Sequence, residues 1–195
     1  MASDLEADRK LTEQARQGSS AAWRTIYETT CDRLFAFLCY QVGDRDEARD
    51  ILQDTYLQAF RRLETYRGEA PLAVWLRAIA LGRSLDWKRV VLRRFKRTVE
   101  FTDASAAPDP ALQRVRFDAE DGALHRALAR LSHHQRAALL LREWEGHSFH
   151  EIARLLGCAE STARVHHTRA CERMRATFLG RERSPDDCEW EGQET

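Results

Sequence analysis

Apolar residues in this chain recur every three to four positions over long stretches, and nowhere do they alternate with polar ones across a turn that would close a hairpin. That pattern predicts an all-α protein. "AAWRTIYETTCDRLFAFLCYQV" sets Trp23, Ile26, Tyr27, Leu34, Phe37 and Leu38 on one helical stripe, and Gly43 ends it. "DRDEARDILQDTYLQAFRRLETY" then opens with Asp44 and Glu47 at capping-box spacing and directs Ala48, Ile51, Leu52, Tyr56, Ala59, Phe60 and Leu63 inward. Gly68 and Pro71 interrupt the chain before "LAVWLRAIAL", and Gly82 is expected to separate that short helix from a basic one running from Ser84 to about Arg97. Two further capping boxes, Ser132 with Gln135 and Ser148 with Glu151, mark helix starts in the C-terminal part.

Between these helical parts lies "TVEFTDASAAPDPALQRVRFDAEDG", poor in apolar residues and carrying Pro108 and Pro110. It reads as a flexible acidic linker at 98–122 between two small helical domains, 1–97 and 123–180, followed by an acidic tail at 181–195 expected to be disordered. The 195 residues carry equal numbers of cationic and anionic side chains, 31 of each. The neutrality is local cancellation. Residues 83–97 hold seven Lys or Arg against one acid, whereas 98–122 and 181–195 each hold six acids against two arginines. No apolar run is long enough to span a bilayer and the N-terminus "MASDLEADRK" lacks the form of a signal peptide, so a cytoplasmic location is expected. Five cysteines, at 31, 39, 158, 171 and 188, show no CxxC pair and argue against a disulfide framework or zinc ribbon.

The densest functional signal is "SFHEIARLLGCAESTARVHHTRACERMRA". Ile152, Leu155 and Leu156 face a core, Ala153 lets two helices cross closely, and Gly157 supplies a tight exit, which together give helix-turn-helix spacing. The next helix offers Ser161, Thr162, Arg164, Val165, His166 and Arg169 near its N-terminal half, where a recognition helix meets base edges. Arg164 suits guanine; Ser161 and Thr162 suit a phosphate or a base edge. The same residues also suit the solvated face of an ordinary helical hairpin, and spacing leaves both readings open. The basic helix is similar: Arg83, Lys88, Arg89, Arg93 and Arg94 can hold a nucleic-acid backbone, and Trp87 can stack on an unpaired base. Two separate basic elements point to bipartite recognition.

"DEARDILQDTYLQAFRRLETYRGEAPLAVWLRAIALGRSLDWKR" resembles region 2 of extracytoplasmic-function (ECF) sigma factors, and "LSHHQRAALLLREWEGHSFHEIARLLGCAESTARVHHTRACERM" resembles their region 4. The resemblance covers roughly residues 20 to 97 and 123 to 178. It implies a transcription initiation factor that binds core RNA polymerase and reads promoter DNA at its minus-35 and minus-10 elements. On this resemblance Asp50, Gln53 and Asp54 dock on a coiled coil of the large polymerase subunit. A loop of Leu81, Gly82, Arg83 and Ser84 captures a flipped minus-10 base, with Gly82 where family members often carry asparagine. The helix beginning near Glu160 reads the minus-35 element, with Ala159 at a position where a capping residue is common and His167 where a leucine would pack inward. An anti-sigma factor is the expected inhibitory partner, and Phe178 and Leu179 are a short apolar segment at the end of this half.

Two other classes compete. A stand-alone helix-turn-helix regulator explains 148–176 but leaves the "DILQDTY" and basic helices without purpose. A metal or redox site would draw on His167 and Cys171, four apart, with His133, His134, Cys158 or Cys188. No Walker loop, nucleophile elbow or paired catalytic carboxylates occur, and neither catalysis, a cofactor nor a metal is expected.

Overall fold

The computed structural model describes the backbone of residues 2–96 and 122–179, with side chains at 5–90 and 122–179. The greater part of the predicted linker and the whole acidic tail at 181–195 lie outside the described residues. Regular structure among those described is helical: α1 (Ala2–Arg16), α2 (Ser20–Val42), α3 (Arg45–Arg62), α4 (Leu72–Lys96), α5 (Gly122–Ala129), α6 (His133–Leu139), α7 (Phe149–Leu156) and α8 (Glu160–Leu179). A short 3₁₀ turn follows α3, and a π-helical turn, Leu140–Trp144, follows α6.

The helix ends form where the local chemistry directs. Ser19 caps α2 through its hydroxyl, and Gly43 closes the same helix at φ 84°. Asp44 accepts from the backbone N–H groups of Asp46 and Glu47 at 2.9 and 3.0 Å. Ser132 and Ser148 each form a complete capping box, with Gln135 and Glu151.

Helices α2, α3 and α4 pack around Ile26, Phe37, Leu38, Ala48, Ile51, Ala59, Leu76 and Ala80, each at most 5% exposed. That core continues without a break into Ala137, Ala138, Leu141 and Ile152 of the second half, so the two halves are packed together. Two expected core residues are displaced from it. Phe60 is 65% exposed and Tyr27 is 48% exposed, because α3 turns these positions into a surface groove beside α2.

Gly82 does not divide α4. The helix runs through it with ordinary helical φ, an added Cβ there would meet nothing within 4 Å, and the neighbours Leu81 and Ser84 are buried at 1% and 0%. Glycine inside a helix costs about 1 kcal/mol relative to alanine, while burying a leucine side chain contributes about 1.5–3 kcal/mol, so packing decides. The expected loop of Leu81, Gly82, Arg83 and Ser84 is therefore helical, with the side chains of Leu81 and Ser84 turned inward.

Polar side chains stitch the halves together. Arg136, 1% exposed, donates to the carbonyls of Leu128 and Leu131 at 2.9 and 3.1 Å and, across the seam, to that of Gln41. Gln41 returns a bond from its Nε2 to the His133 carbonyl at 3.1 Å. Glu145, presented at the end of the π-helical turn, accepts from Arg77 at 2.9 Å and Arg33 at 3.3 Å, and the Arg77 guanidinium lies 4.4 Å over the Phe37 ring. Tyr40 stacks on His125 and meets the edge of Trp144.

Glu145→Leu strands the Arg77 charge, a change that costs about 3–5 kcal/mol in buried pairs. The variant is expected to lower the urea midpoint, and Arg77→Met combined with Glu145→Leu to recover most of the loss, because two apolar side chains leave no unpaired charge.

Candidate nucleic-acid interface

The helix-turn-helix is built as its residues require. Ser148 starts α7, Ile152 and Leu156 bury its inner face, and Gly157 exits at φ 64° before α8. Ala163 and Ala170, both fully buried, fix the rotation of α8. That rotation leaves Ser161, Thr162, Arg164, Val165 and Arg169 exposed. Arg164 is held ready by Glu160 at 2.6 Å, and its guanidinium lies 4.6 Å over the Phe149 ring. His166 departs from this set: it is half-buried and stacks on His134 of α6 at 5.5 Å. His167, at the position where a leucine would pack inward, bonds Glu143 through Nε2 at 2.7 Å and meets the Phe149 ring edge-on, which gives its polar ring a partner.

On α4 the cationic residues divide. Arg89 is exposed, while Arg83 and Lys88 are half-buried; Arg83 and Arg89 flank Asp86 at 4.0 and 3.1 Å. Trp87, expected as an exposed stacking ring, is half-buried against the core. Ser84 faces the second half of the protein through His133, Leu81 is buried in the core, and both are closed to any ligand in this arrangement. The Arg93 and Arg94 side chains lie outside the described residues.

A third surface lies on α3. Asp50, Gln53 and Asp54 are all exposed, and the same stripe continues into Leu57 at 48% and Phe60 at 65% exposure. Beside it is a groove of about 830 Å³ walled by Trp23, Tyr27, Gln53, Tyr56, Leu57 and Phe60. Trp23 contacts Phe60 at 5.1 Å and Tyr27 contacts Tyr56 at 4.9 Å. The Tyr56 hydroxyl bonds Thr30 at 2.7 Å, and burial pushes its pKa up to about 12. Sequence reasoning missed Leu57 and Phe60 as surface residues, although their spacing from Gln53 puts both on the polar stripe, where an apolar residue signals a contact.

Among the described residues no group of three or more His, Cys, Asp or Glu is placed to hold a metal ion. Nor is any helix there long and apolar enough to cross a membrane.

Residues 26–95 match the family described as Sigma-70 region 2, and residues 121–174 match Sigma-70, region 4. RNA polymerase sigma factor CarQ of Myxococcus xanthus is 32% identical over 84% of this chain and 92% of its own length. ECF RNA polymerase sigma factor SigL of Mycobacterium tuberculosis is 30% identical over 85% of this chain and 95% of its own. The chain belongs to the ECF branch of the sigma-70 family. It is an alternative sigma factor that directs RNA polymerase to promoters, and this replaces the reading as a stand-alone regulator. Its architecture is similar to the sigma factor RpoE of Bartonella quintana, solved in complex with the anti-sigma factor NepR, at TM-score 0.64 and 26% identity over 80% of this chain and 96% of that one.

The capping box that opens the helix-turn-helix of this sigma factor is itself testable. Bonds from the Ser148 backbone and hydroxyl hold the Glu151 carboxyl below its usual pKa. A depressed carboxylate stabilises the fold above its ordinary pKa, and that contribution is lost as pH falls through the lowered value. Ser148→Ala is expected to cost about 1 kcal/mol in thermal denaturation at neutral pH, with a smaller deficit once Glu151 is protonated.

Proposed function

We propose that this sigma factor divides its task among three surfaces and two domains, 1–97 and 123–180. The α3 stripe of Asp50, Gln53 and Asp54, extended by Leu57 and Phe60, docks on core RNA polymerase. Its acids suit a partner presenting arginines, and the aromatic groove gives that partner apolar surface to bury. The exposed face of α8 reads the minus-35 element, with Arg164 as the side chain suited to guanine and Ser161, Thr162 and Arg169 as flanking contacts. The basic half of α4, with Arg83, Lys88, Arg89, Arg93 and Arg94, holds the minus-10 backbone. The observation that carries this reading is that the α8 face and the α3 stripe are both exposed and both lie within the matched sigma regions.

Strand opening needs a place for an extruded base, and extrusion costs a few kcal/mol. Leu81, Gly82, Arg83 and Ser84 serve that role only after the second domain moves off α4, because Ser84 is covered by it through His133. Gly82 makes the helix locally cheap to unwind at that point. Action therefore includes separation of the domains. An anti-sigma factor is the expected inhibitor, since the similar RpoE was solved with one. The α3 groove is a surface such an inhibitor would compete for.

Asp50→Arg with Asp54→Arg is expected to abolish co-elution with core polymerase on a sizing column while leaving the helical circular dichroism unchanged, as both side chains are exposed. Retained stoichiometric binding would remove α3 from the interface. Arg164→Ala is expected to cost about 1–3 kcal/mol and to relax preference at one minus-35 base pair, measured by holoenzyme binding to a set of promoter variants. Equal loss on every variant would reduce Arg164 to a phosphate contact.

A further inference from the structure

All seven histidines of the chain lie between His125 and His167, in the half that carries the helix-turn-helix. Two of them, His133 and His134 at the start of α6, sit at the seam against α4. His133 is 3% exposed and its Nε2 lies 3.0 Å from the Ser84 hydroxyl. That hydroxyl donates its proton to the Leu81 carbonyl at 2.9 Å, so Ser84 accepts from His133 and the ring carries its hydrogen on Nε2. The other nitrogen, Nδ1, is buried with no acceptor. A second proton there has nowhere to bond.

The surrounding charges oppose it as well. His133 feels Arg136 of its own helix, Lys88 of α4 and His134, while α2 contributes the neutral amide of Gln41 to its backbone. His134 stacks on His166 of α8, itself beside Arg169, and faces Lys88 and Arg89 of α4. Asp86, the sole acid of α4, is already engaged by Arg83 and Arg89. Burial also holds His147 below the ordinary histidine value; there Glu151 and Glu145 favour a proton that Arg77 and Arg33 oppose.

We propose that the domain seam is an acid-released latch: with His133 and His134 neutral the helix-turn-helix half covers Ser84 of α4, and proton uptake by these two rings drives the halves apart. Burial, followed by the neighbouring cations, holds both rings below the ordinary histidine pKa in the closed form, His133 far below it. The separated form exposes the rings and restores that ordinary value, about 6.5. Above it neither form is protonated and the closed state is favoured. Below it the open form binds more protons, so the open-to-closed ratio rises up to about tenfold per pH unit for each histidine, about a hundredfold for two. The consequence for promoter binding rests on the minus-10 role proposed for α4; the opening itself does not.

The test is small-angle X-ray scattering of the free full-length chain from pH 8 to pH 5, with far-ultraviolet circular dichroism on the same samples. The radius of gyration is expected to rise by several ångströms as pH falls below about 6.5, at unchanged helicity. His133→Gln with His134→Gln keeps a neutral donor toward Ser84 and is expected to stay compact to pH 5. A radius independent of pH, or opening of the double variant at the same midpoint, overturns the latch; the latter would move the acid response to groups other than these two rings. Should the double variant already be open at pH 8, His134→Gln alone decides: a transition reduced from about two protons to one supports the latch, and an unchanged slope refutes it. No polymerase or DNA enters this measurement, so failure of the docking or promoter assignments would leave its result intact.

Discussion

The arrangement of the two halves turns on one buried guanidinium. Arg136 is almost completely withdrawn from solvent, and a charge so placed is tolerable only if its N–H groups find acceptors. It finds two within its own half, the carbonyls of Leu128 and Leu131 at the exit of α5, and a third on Gln41 across the seam. Opening the seam exposes Arg136 to water as it loses that third acceptor, so hydration replaces the lost bond. The polar part of the seam is therefore stable as built and inexpensive to undo, while the apolar core shared with Ala137, Ala138, Leu141 and Ile152 favours the closed state. Arg77 is held differently, by one bond from Nη2 to Glu145 and by the Phe37 ring, while its buried Nε and Nη1 find no acceptor.

Function follows from which faces the seam covers. It leaves the face of α8 proposed to read DNA and the α3 stripe proposed to dock polymerase free, and it covers Ser84 of α4. On those proposed assignments a protein in this state is open to its partner and to one half of a bipartite DNA site but closed to the other half, and whatever draws the domains apart gates the minus-10 contact.

Much of this was legible in the sequence because the relevant signals are local. Capping at Asp44, Ser132 and Ser148, the exits at Gly43 and Gly157, and the inward stripes of α2 and α3 depend on neighbours a few residues away, and the helices formed there. The errors came where tertiary packing overrides local preference. Gly82 reads as a breaker, yet burial on both sides of it holds α4 continuous. Phe60 reads as core by its chemistry, and Trp87 as an exposed ring by its cationic neighbours; the fold places each the other way. The contacts of His133 with Ser84 and of Glu145 with Arg77 join residues 49 and 68 positions apart, a separation that no periodicity encodes. Of the candidate site, the α3 and α8 faces were legible, while the closure over α4 was not.

The charge distribution explains why docking and reading must be coupled. Phosphate binding is dominated by uncompensated cations, and a chain with 31 of each sign has no net field to draw it to DNA. Beyond a Debye length of about 8 Å at physiological salt the basic half of α4 and the acidic segments that follow it screen one another's effect. Such a chain holds DNA weakly and nonspecifically at best when alone. Its cations count only at contact distance, once something else has placed α4 and α8 against the duplex. The stripe from Asp50 to Phe60 is exposed on an element that contributes nothing to either proposed DNA-facing surface, so engagement there leaves both unobstructed. Neutrality thus makes promoter recognition conditional on the partner, and an alternative sigma factor that bound DNA strongly by itself would occupy promoters without a polymerase to use them.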